Sequence, residues 1–335
     1  MILVRAPLRI SFIGGGTDLP DFYKKHGGCV VSTTINQYVY LAIKHTPLVN
    51  KVIVKYSTTE TVDHPKDLIH NRVREILLTL GINNNIEIGS FASIPARTGL
   101  GSSSSFTVAL LKGLHLLNGK KINKQSLAEK ACTVEIDLVK EPIGKQDQYA
   151  ASYGGLNIYK FKKSGKVAIE PLAISKKNKD KFEKSLLLFF TGITRDASSV
   201  LSNQTKNIDK KIDGYKEIAS LVSHFSEAIK KGDFKKAGDI LHKSWTLKKT
   251  FADEISNSTI DDLYSLGIKN GAWGGKVLGA GGGGCVLFLA PENKHKDIRR
   301  SVIDYANKNR LNNFAEIEVG FDNKGVEIVF DQEKA

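Results

Sequence analysis

Between Pro95 and Ser105 the chain reads P-A-R-T-G-L-G-S-S-S-S and runs at once into a mostly apolar stretch, Phe106 to Leu117. Gly99 and Gly101 let the backbone turn tightly and approach a ligand closely. Serine favours the cap of a helix, whose first turn presents unpaired N–H groups and the positive end of the dipole. The stretch therefore has the chemistry of an anion cradle, with a polyphosphate as the natural anion. A flexible linker is the competing reading, but linkers are seldom followed directly by an apolar helix. A Walker A loop is excluded, because Gly101 is followed by Ser102 with no lysine before Lys112. The three glycines at 14–16 do not make G-x-G-x-x-G, so a dinucleotide site fits poorly.

Other residues stand out by their surroundings. Arg9 sits inside the apolar stretch Leu8 to Ile13, where a charge is costly unless paired with a carboxylate or phosphate. Gly14-Gly15-Gly16-Thr17-Asp18 breaks a strand sharply, with Asp18 placed to cap a helix starting near Leu19-Pro20. Gly279-Ala280 followed by four glycines is pinned between two apolar strand candidates, which favours a tight turn with close backbone approach over a linker. The polar, glycine-punctuated stretch from Gly144 to Asn157 is where catalytic groups are commonly mounted. Glu135 falls just beside the apolar face of its expected helix, a position that is ordinarily solvated.

The elements that must position these groups follow from periodicity. Strands are expected at 2–4 and 10–13, split by Pro7, and at 29–32, 38–43, 51–56 and 86–91. A helix is expected over 68–80, with Ile69, Val73, Ile76, Leu77 and Leu80 inward and Gly81 as its stop. The run 106–117 is apolar nearly all round and reads as a buried helix, followed by another over 124–140. A continuous apolar strand covers 186–191, helices fill 218–229 and 234–247, and strands return at 276–278, 285–289, 317–321 and 326–330. The class is α+β.

Composition bounds the rest. The 335 residues carry a net charge of +14, yet only nine of the 49 cationic residues are arginine, and the lysines are spread over helix faces and turns. Dispersed lysines serve solubility and steering of anionic small molecules, so no nucleic-acid partner is expected. Cys29, Cys132 and Cys285 are far apart, without the spacing of a zinc site or a disulfide framework. No uninterrupted apolar run is long enough for a membrane span, and Arg5 and Pro7 come too early for a signal peptide, so no membrane partner and a cytoplasmic location are expected. The oligomeric state is not legible.

Three stretches taken together, Arg5-Ala6-Pro7-Leu8-Arg9-Ile10 through Gly16-Thr17-Asp18, Pro95 to Ser105, and Leu278 to Cys285, resemble the three motifs of the GHMP kinases. The resemblance implies a ribosomal-protein-S5-like N-terminal ATP-binding domain over 1–175 and a ferredoxin-like C-terminal domain over 176–335, with ATP and substrate between them. It implies that Pro95, Arg97, Gly99, Leu100, Gly101, Ser102, Ser103 and Ser104 wrap the ATP phosphates. It places Mg²⁺ on Ser103, with Ser102 adjacent, and on Glu135. Asp147, twelve residues beyond Glu135, becomes the catalytic carboxylate, and Arg9 holds it ionised and stabilises the migrating phosphoryl group.

Within the family, F-I-G-G-G-T-D-L-P-D-F and G-K-Q-D-Q-Y-A-A-S-Y-G-G-L-N are similar to the kinases of D-glycero-D-manno-heptose 7-phosphate. That likeness implies phosphorylation of the anomeric hydroxyl of a small sugar phosphate, towards GDP-heptose for surface polysaccharide. Gly15, Gly16, Thr17, Asp18, Gly281 and Gly282 are then expected around the sugar, and Arg97, Lys145 and Arg195 are the candidate cations for its phosphate. A kinase of an unphosphorylated sugar such as fucose, or a catalytically silent sugar or nucleotide sensor, are the alternatives.

Overall fold

Apolar strands and the helices that cover them form two sheets in the computed structural model, which describes residues 1–195 and 197–332. The first half of the chain supplies β1 (Ile2–Ile13), α1 (Pro20–His26), β2 (Gly28–His45), β3 (Val52–Lys55), β4 (Thr59–Val62), α2 (Asn71–Leu80), β5 (Ile86–Ala92) and α3 (Ser102–Leu117). After these come α4 (Lys124–Cys132), α5 (Gln146–Tyr153), β6 (Leu156–Phe161), β7 (Val167–Pro171), α6 (Lys176–Lys184) and β8 (Leu186–Phe190). A helical stretch follows, α7 (Ala197–Asn207), α8 (Ile212–Lys231), α9 (Phe234–Lys249) and α10 (Ser258–Lys269). The chain ends with β9 (Gly274–Val277), β10 (Cys285–Leu289), α11 (His295–Lys308), β11 (Ala315–Ile317), β12 (Phe321–Asp322) and β13 (Glu327–Asp331).

The larger sheet runs β13-β1-β2-β5-β3-β4, with β6 and β12 also on β2, and β7 on β6. All its pairs are antiparallel except β3 with β5. The C-terminal strands β12 and β13 return to this sheet, so the end of the chain completes the layer that its beginning starts. The second sheet is antiparallel in the order β11-β8-β10-β9. Its strand β8, LLLFF, is buried at every position because both faces are covered: Leu186, Leu188 and Phe190 enter one core and Leu187 and Phe189 another.

Several boundaries differ from the sequence reading. Pro7 does not split the first strand; β1 is continuous, and the β1–β2 register shifts directly after Pro7, where the ladder loses a donor. The two strands expected within 29–43 are one strand of 18 residues, whose two ends pair with β6 and β5. The helix after residue 68 begins only at Asn71, capped by the His70 ring, which leaves Ile69 exposed rather than in the core. Asp18 does not cap α1; Leu19 holds that position. The glycine-punctuated stretch is helical in its middle, and α5 carries Asp147 in its first turn.

α3 lies across β1 and β2. Gly113 permits this approach, since a Cβ there would stand 2.4 Å from Ile43 Cδ1 and 2.8 Å from Val4. Ser105 Oγ donates to the Pro7 carbonyl at 2.8 Å, and the Arg9 N–H donates to the Leu100 carbonyl at 2.9 Å. The start of the helix and its preceding loop are thus tied to the strand that carries Arg9.

Candidate active site

A cavity of about 570 Å³ opens where the start of α3, the turn after β1, the start of α5 and the glycine turn after β9 converge. Arg9, Gly15, Gly16, Asp18, Arg97, Gly99, Gly101, Ser102, Ser103, Ser104 and Asp147 from the sequence reading all line it.

At its centre Arg9 satisfies the requirement that its apolar neighbours impose. Its Nε and Nη2 donate to the two carboxylate oxygens of Asp147, each at 2.8 Å, and its Nη1 donates to the Gly99 carbonyl at 2.6 Å. The Arg9 side chain is 5% exposed and that of Asp147 is 24%. A bidentate pair of this kind fixes a carboxylate in orientation as well as in charge. One guanidinium therefore binds three elements: β1, the glycine loop and α5.

The glycine loop is held from below by the second glycine turn. A Cβ on Gly99 would lie 2.4 Å from the Leu278 carbonyl oxygen, one on Gly279 would lie 2.7 Å from Gly99 Cα, and the Cys285 N–H donates to the Thr98 carbonyl at 3.0 Å. Gly99 also has φ +81°, in the region that favours glycine. Gly99→Ala should separate the two turns and raise the KM for ATP about 10-fold or more, read by nucleotide titration, because such strain is worth about 1–3 kcal/mol. An unchanged KM would deny the loop its role in nucleotide binding. Arg97 and Lys140, both lining the cavity, are non-glycine residues at φ 66° and 65°, an unfavourable conformation that concentrates at functional sites.

Asp18 is buried beside Gly144, where a Cβ would fall 1.9 Å from Asp18 Oδ2. Its carboxylate accepts from the Gly16 N–H at 3.0 Å and the Gln146 N–H at 3.2 Å. Burial, and then the charge of Asp147, push its pKa up, opposed by those two backbone donors.

Glu135 is not solvated. α4 passes into a π-helical stretch, Thr133–Leu138, which turns this side chain fully inward. Oε1 accepts from Arg72 Nε at 3.1 Å and Thr107 Oγ1 at 2.8 Å; Oε2 accepts from Ser104 Oγ at 2.7 Å and Gln148 Nε2 at 2.5 Å. Roughly four lone-pair sites are all that a carboxylate offers, so Glu135 as held has none open for a cation. The pair Ser103 and Glu135 therefore does not fit Mg²⁺ in this arrangement, and among the described residues no group of three or more His, Cys, Asp or Glu could hold a metal. Arg72 also pairs with Glu141 at 2.5 Å, and both line the cavity.

The remaining expected residues lie off the cavity wall. Thr17 is buried, donating to the Gly14 carbonyl at 2.7 Å and shaping the turn. Lys145 donates to the Gly165 carbonyl at 3.1 Å with its ammonium 5.4 Å from the Tyr23 ring centroid. Arg195 donates to the Glu254 carbonyl at 2.9 Å and stands over Gly282. Pro95, Leu100, Gly281 and Gly282 line no part of the cavity and act on it only through the two turns. Conversely Ser11, Asn71, Arg72, Lys140, Glu141, Gln204, Lys248 and Lys276 line it and were not expected. Of these, Lys276 carried a legible signal, a cation next to the apolar Val277-Leu278 at the edge of a strand. Among the described residues no helix is long and apolar enough to cross a membrane.

Known proteins resemble the chain over most of its length. The chain is 28% identical over 317 residues to D-glycero-alpha-D-manno-heptose 7-phosphate kinase of Campylobacter jejuni, covering 90% of this chain and 93% of that protein. It is 26% identical to the bifunctional fucokinase/GDP-fucose pyrophosphorylase of Arabidopsis thaliana over 90% of this chain, a match confined to 31% of that longer protein. The fold is shared with the crystal structure of a D-glycero-D-manno-heptose 1-phosphate kinase from Bacteriodes thetaiotaomicron, with TM-score 0.80, 22% identity and 99% of each chain covered. Residues 67–155 match the model of the GHMP kinases N terminal domain and residues 225–308 that of the GHMP kinases C terminal, together just over half of the chain. The chain belongs to the GHMP kinases, phosphotransferases that take ATP as donor and an alcohol group as acceptor.

Proposed function

We propose that the protein transfers the γ-phosphoryl group of ATP to the anomeric hydroxyl of D-glycero-D-manno-heptose 7-phosphate, giving the 1,7-bisphosphate and ADP. The observation that carries this reading is the Arg9–Asp147 bidentate pair set against the glycine loop at the start of α3. The full-length likeness to the Campylobacter jejuni enzyme supports the sugar.

In the transfer, Asp147 accepts the proton of the anomeric hydroxyl as its oxygen bonds to the γ-phosphorus and the bond to the β-phosphate oxygen breaks. Arg9 keeps that carboxylate oriented towards the acceptor through its two hydrogen bonds. Backbone N–H groups at the start of α3, with Arg97 and Lys140, receive the nucleotide phosphates. Asp18, beside Gly15 and Gly16, accepts from sugar hydroxyls. The kinase reading implies Mg²⁺, but the four donors on Glu135 leave the pair Ser103 and Glu135 with no open carboxylate position for it.

The fucokinase likeness favours one second reading, an anomeric kinase of an unphosphorylated sugar such as fucose. A catalytically silent sensor is disfavoured by the intact Arg9–Asp147 pair. The test is the product: with heptose 7-phosphate and ATP, phosphorus NMR should show a new phosphate coupled to the anomeric proton. Coupling to any other ring or chain proton would overturn the assignment.

A further inference from the structure

Two lysines on the cavity wall are used by none of the steps above. Lys248 on α9 is 7% exposed and Lys276 on β9 is 5% exposed. An ammonium has three N–H donors. Among the described residues Lys248 makes one hydrogen bond, to the Gly279 carbonyl at 2.6 Å, and Lys276 makes one, to the Ser11 carbonyl at 2.8 Å. Neither forms an ion pair with a described carboxylate. A buried cation without a counter-ion is costly, and here two share a cavity with a third, Arg9, whose charge is already spent on Asp147. Burial lowers the pKa of Lys248 to about 8, opposed by Asp18; it takes Lys276 well below the ordinary lysine value, helped by Lys248 and Arg9. Asp18 is the acid both lysines feel, and its carboxylate is held by two backbone N–H groups.

We propose that Lys248 and Lys276 form the seat of the phosphate that the sugar substrate already carries. This rests on the reading of the acceptor as a sugar phosphate. A phosphate dianion supplies the missing counter-charge and takes up the four N–H donors the two ammoniums leave unused. Lys276 bonds to the Ser11 carbonyl, in the strand that leads into the Gly14–Asp18 turn, and the Asp18 of that turn acts on both lysines, which sets the seat towards the sugar; Lys248 also bonds to the glycine turn that packs against Gly99. The charges of Asp18 and Arg9 act on both lysines, and that of Lys248 acts on Lys276. Of the three cations the sequence suggested for this phosphate, Lys145 and Arg195 are tied to backbone carbonyls off the cavity, and Arg97 is part of the loop assigned to ATP.

The test uses the full chain with Lys248→Met and Lys276→Met, which keep most of the bulk and remove the charge. Each should raise the KM for heptose 7-phosphate about 10–100-fold, the worth of a charge-assisted hydrogen bond. The KM for ATP should stay within about 2-fold and the preference for heptose 7-phosphate over heptose should fall in proportion. Equal losses on both sugars, or a loss carried by the KM for ATP, would overturn the proposal in favour of lysines that only prop the turn or meet the nucleotide. The wild type gives an independent reading should a variant fail to fold: inorganic phosphate should inhibit competitively against the sugar phosphate, and competition against ATP alone would overturn the seat. If the wild type uses heptose and heptose 7-phosphate equally well, the substrate reading fails instead. The anion seat is then judged by thermal stabilisation with inorganic phosphate: loss of it in both variants upholds the seat, and its retention overturns it.

Discussion

Asp147→Asn is expected to lower kcat by about 10³-fold, the middle of the range for loss of a positioned general base, while ATP affinity stays within a few-fold. The amide is nearly isosteric and can still accept from Arg9 through its one oxygen, so the link between β1 and α5 is weakened rather than cut. What disappears is the capacity to take the hydroxyl proton as the new bond forms. The Arg9 guanidinium then faces an NH₂ group on one side, and its 5% exposed side chain has lost its counter-charge. A modest fall in stability should accompany the kinetic loss. The two effects separate in a kinetic and binding series: isothermal titration with ATP should show near-normal affinity in a protein that barely turns over. Equal low activity in the wild type and the variant would contradict the catalytic assignment and favour the sensor reading.

Glu135→Gln should destabilise the protein by about 3 kcal/mol, because removing one charge of a buried, hydrogen-bonded pair leaves its partners uncompensated. The glutamine keeps the shape but turns one acceptor oxygen into a donor that meets two donors, and Arg72 loses one of its two carboxylates. Ser104 and Thr107 both lie on α3, so the loosening falls at the helix start that carries the phosphate loop. The expected result is a lower urea midpoint at unchanged m-value, with a raised KM for ATP. A variant with an unchanged midpoint but an altered Mg²⁺ requirement would show instead that Glu135 serves as a metal ligand and that its four donors give way in the working enzyme.

Legibility in the sequence followed the local contrast between a residue and its neighbours. Arg9 was readable because a cation in an apolar strand demands a partner, and the glycine loop because two glycines and four serines precede an apolar helix. β8 was readable because five consecutive large apolar residues suit a strand covered on both faces. Glu135 was not, because helical periodicity at 3.6 residues per turn puts it beside the core face, and only the π-helical stretch rotates it inward. Nor was α5, since the polar Gly144 to Tyr149 segment offers no apolar stripe; contacts with α3 and α4 hold it. Lys248 was hidden among evenly spread lysines, although it stands at i+7 from Leu241 and i+3 from Trp245, on the buried face of α9. The return of β13 to β1 joins residues more than 300 apart, a pairing that no local pattern announces.

The most direct test of the central claim is kcat/KM, measured by ADP release from the wild type across heptose 7-phosphate, heptose, fucose, galactose and mevalonate under one set of conditions. The arrangement of Asp147, Asp18 and the two buried lysines predicts that heptose 7-phosphate exceeds every other acceptor by about 10-fold or more. A higher value for fucose or another unphosphorylated acceptor would contradict it.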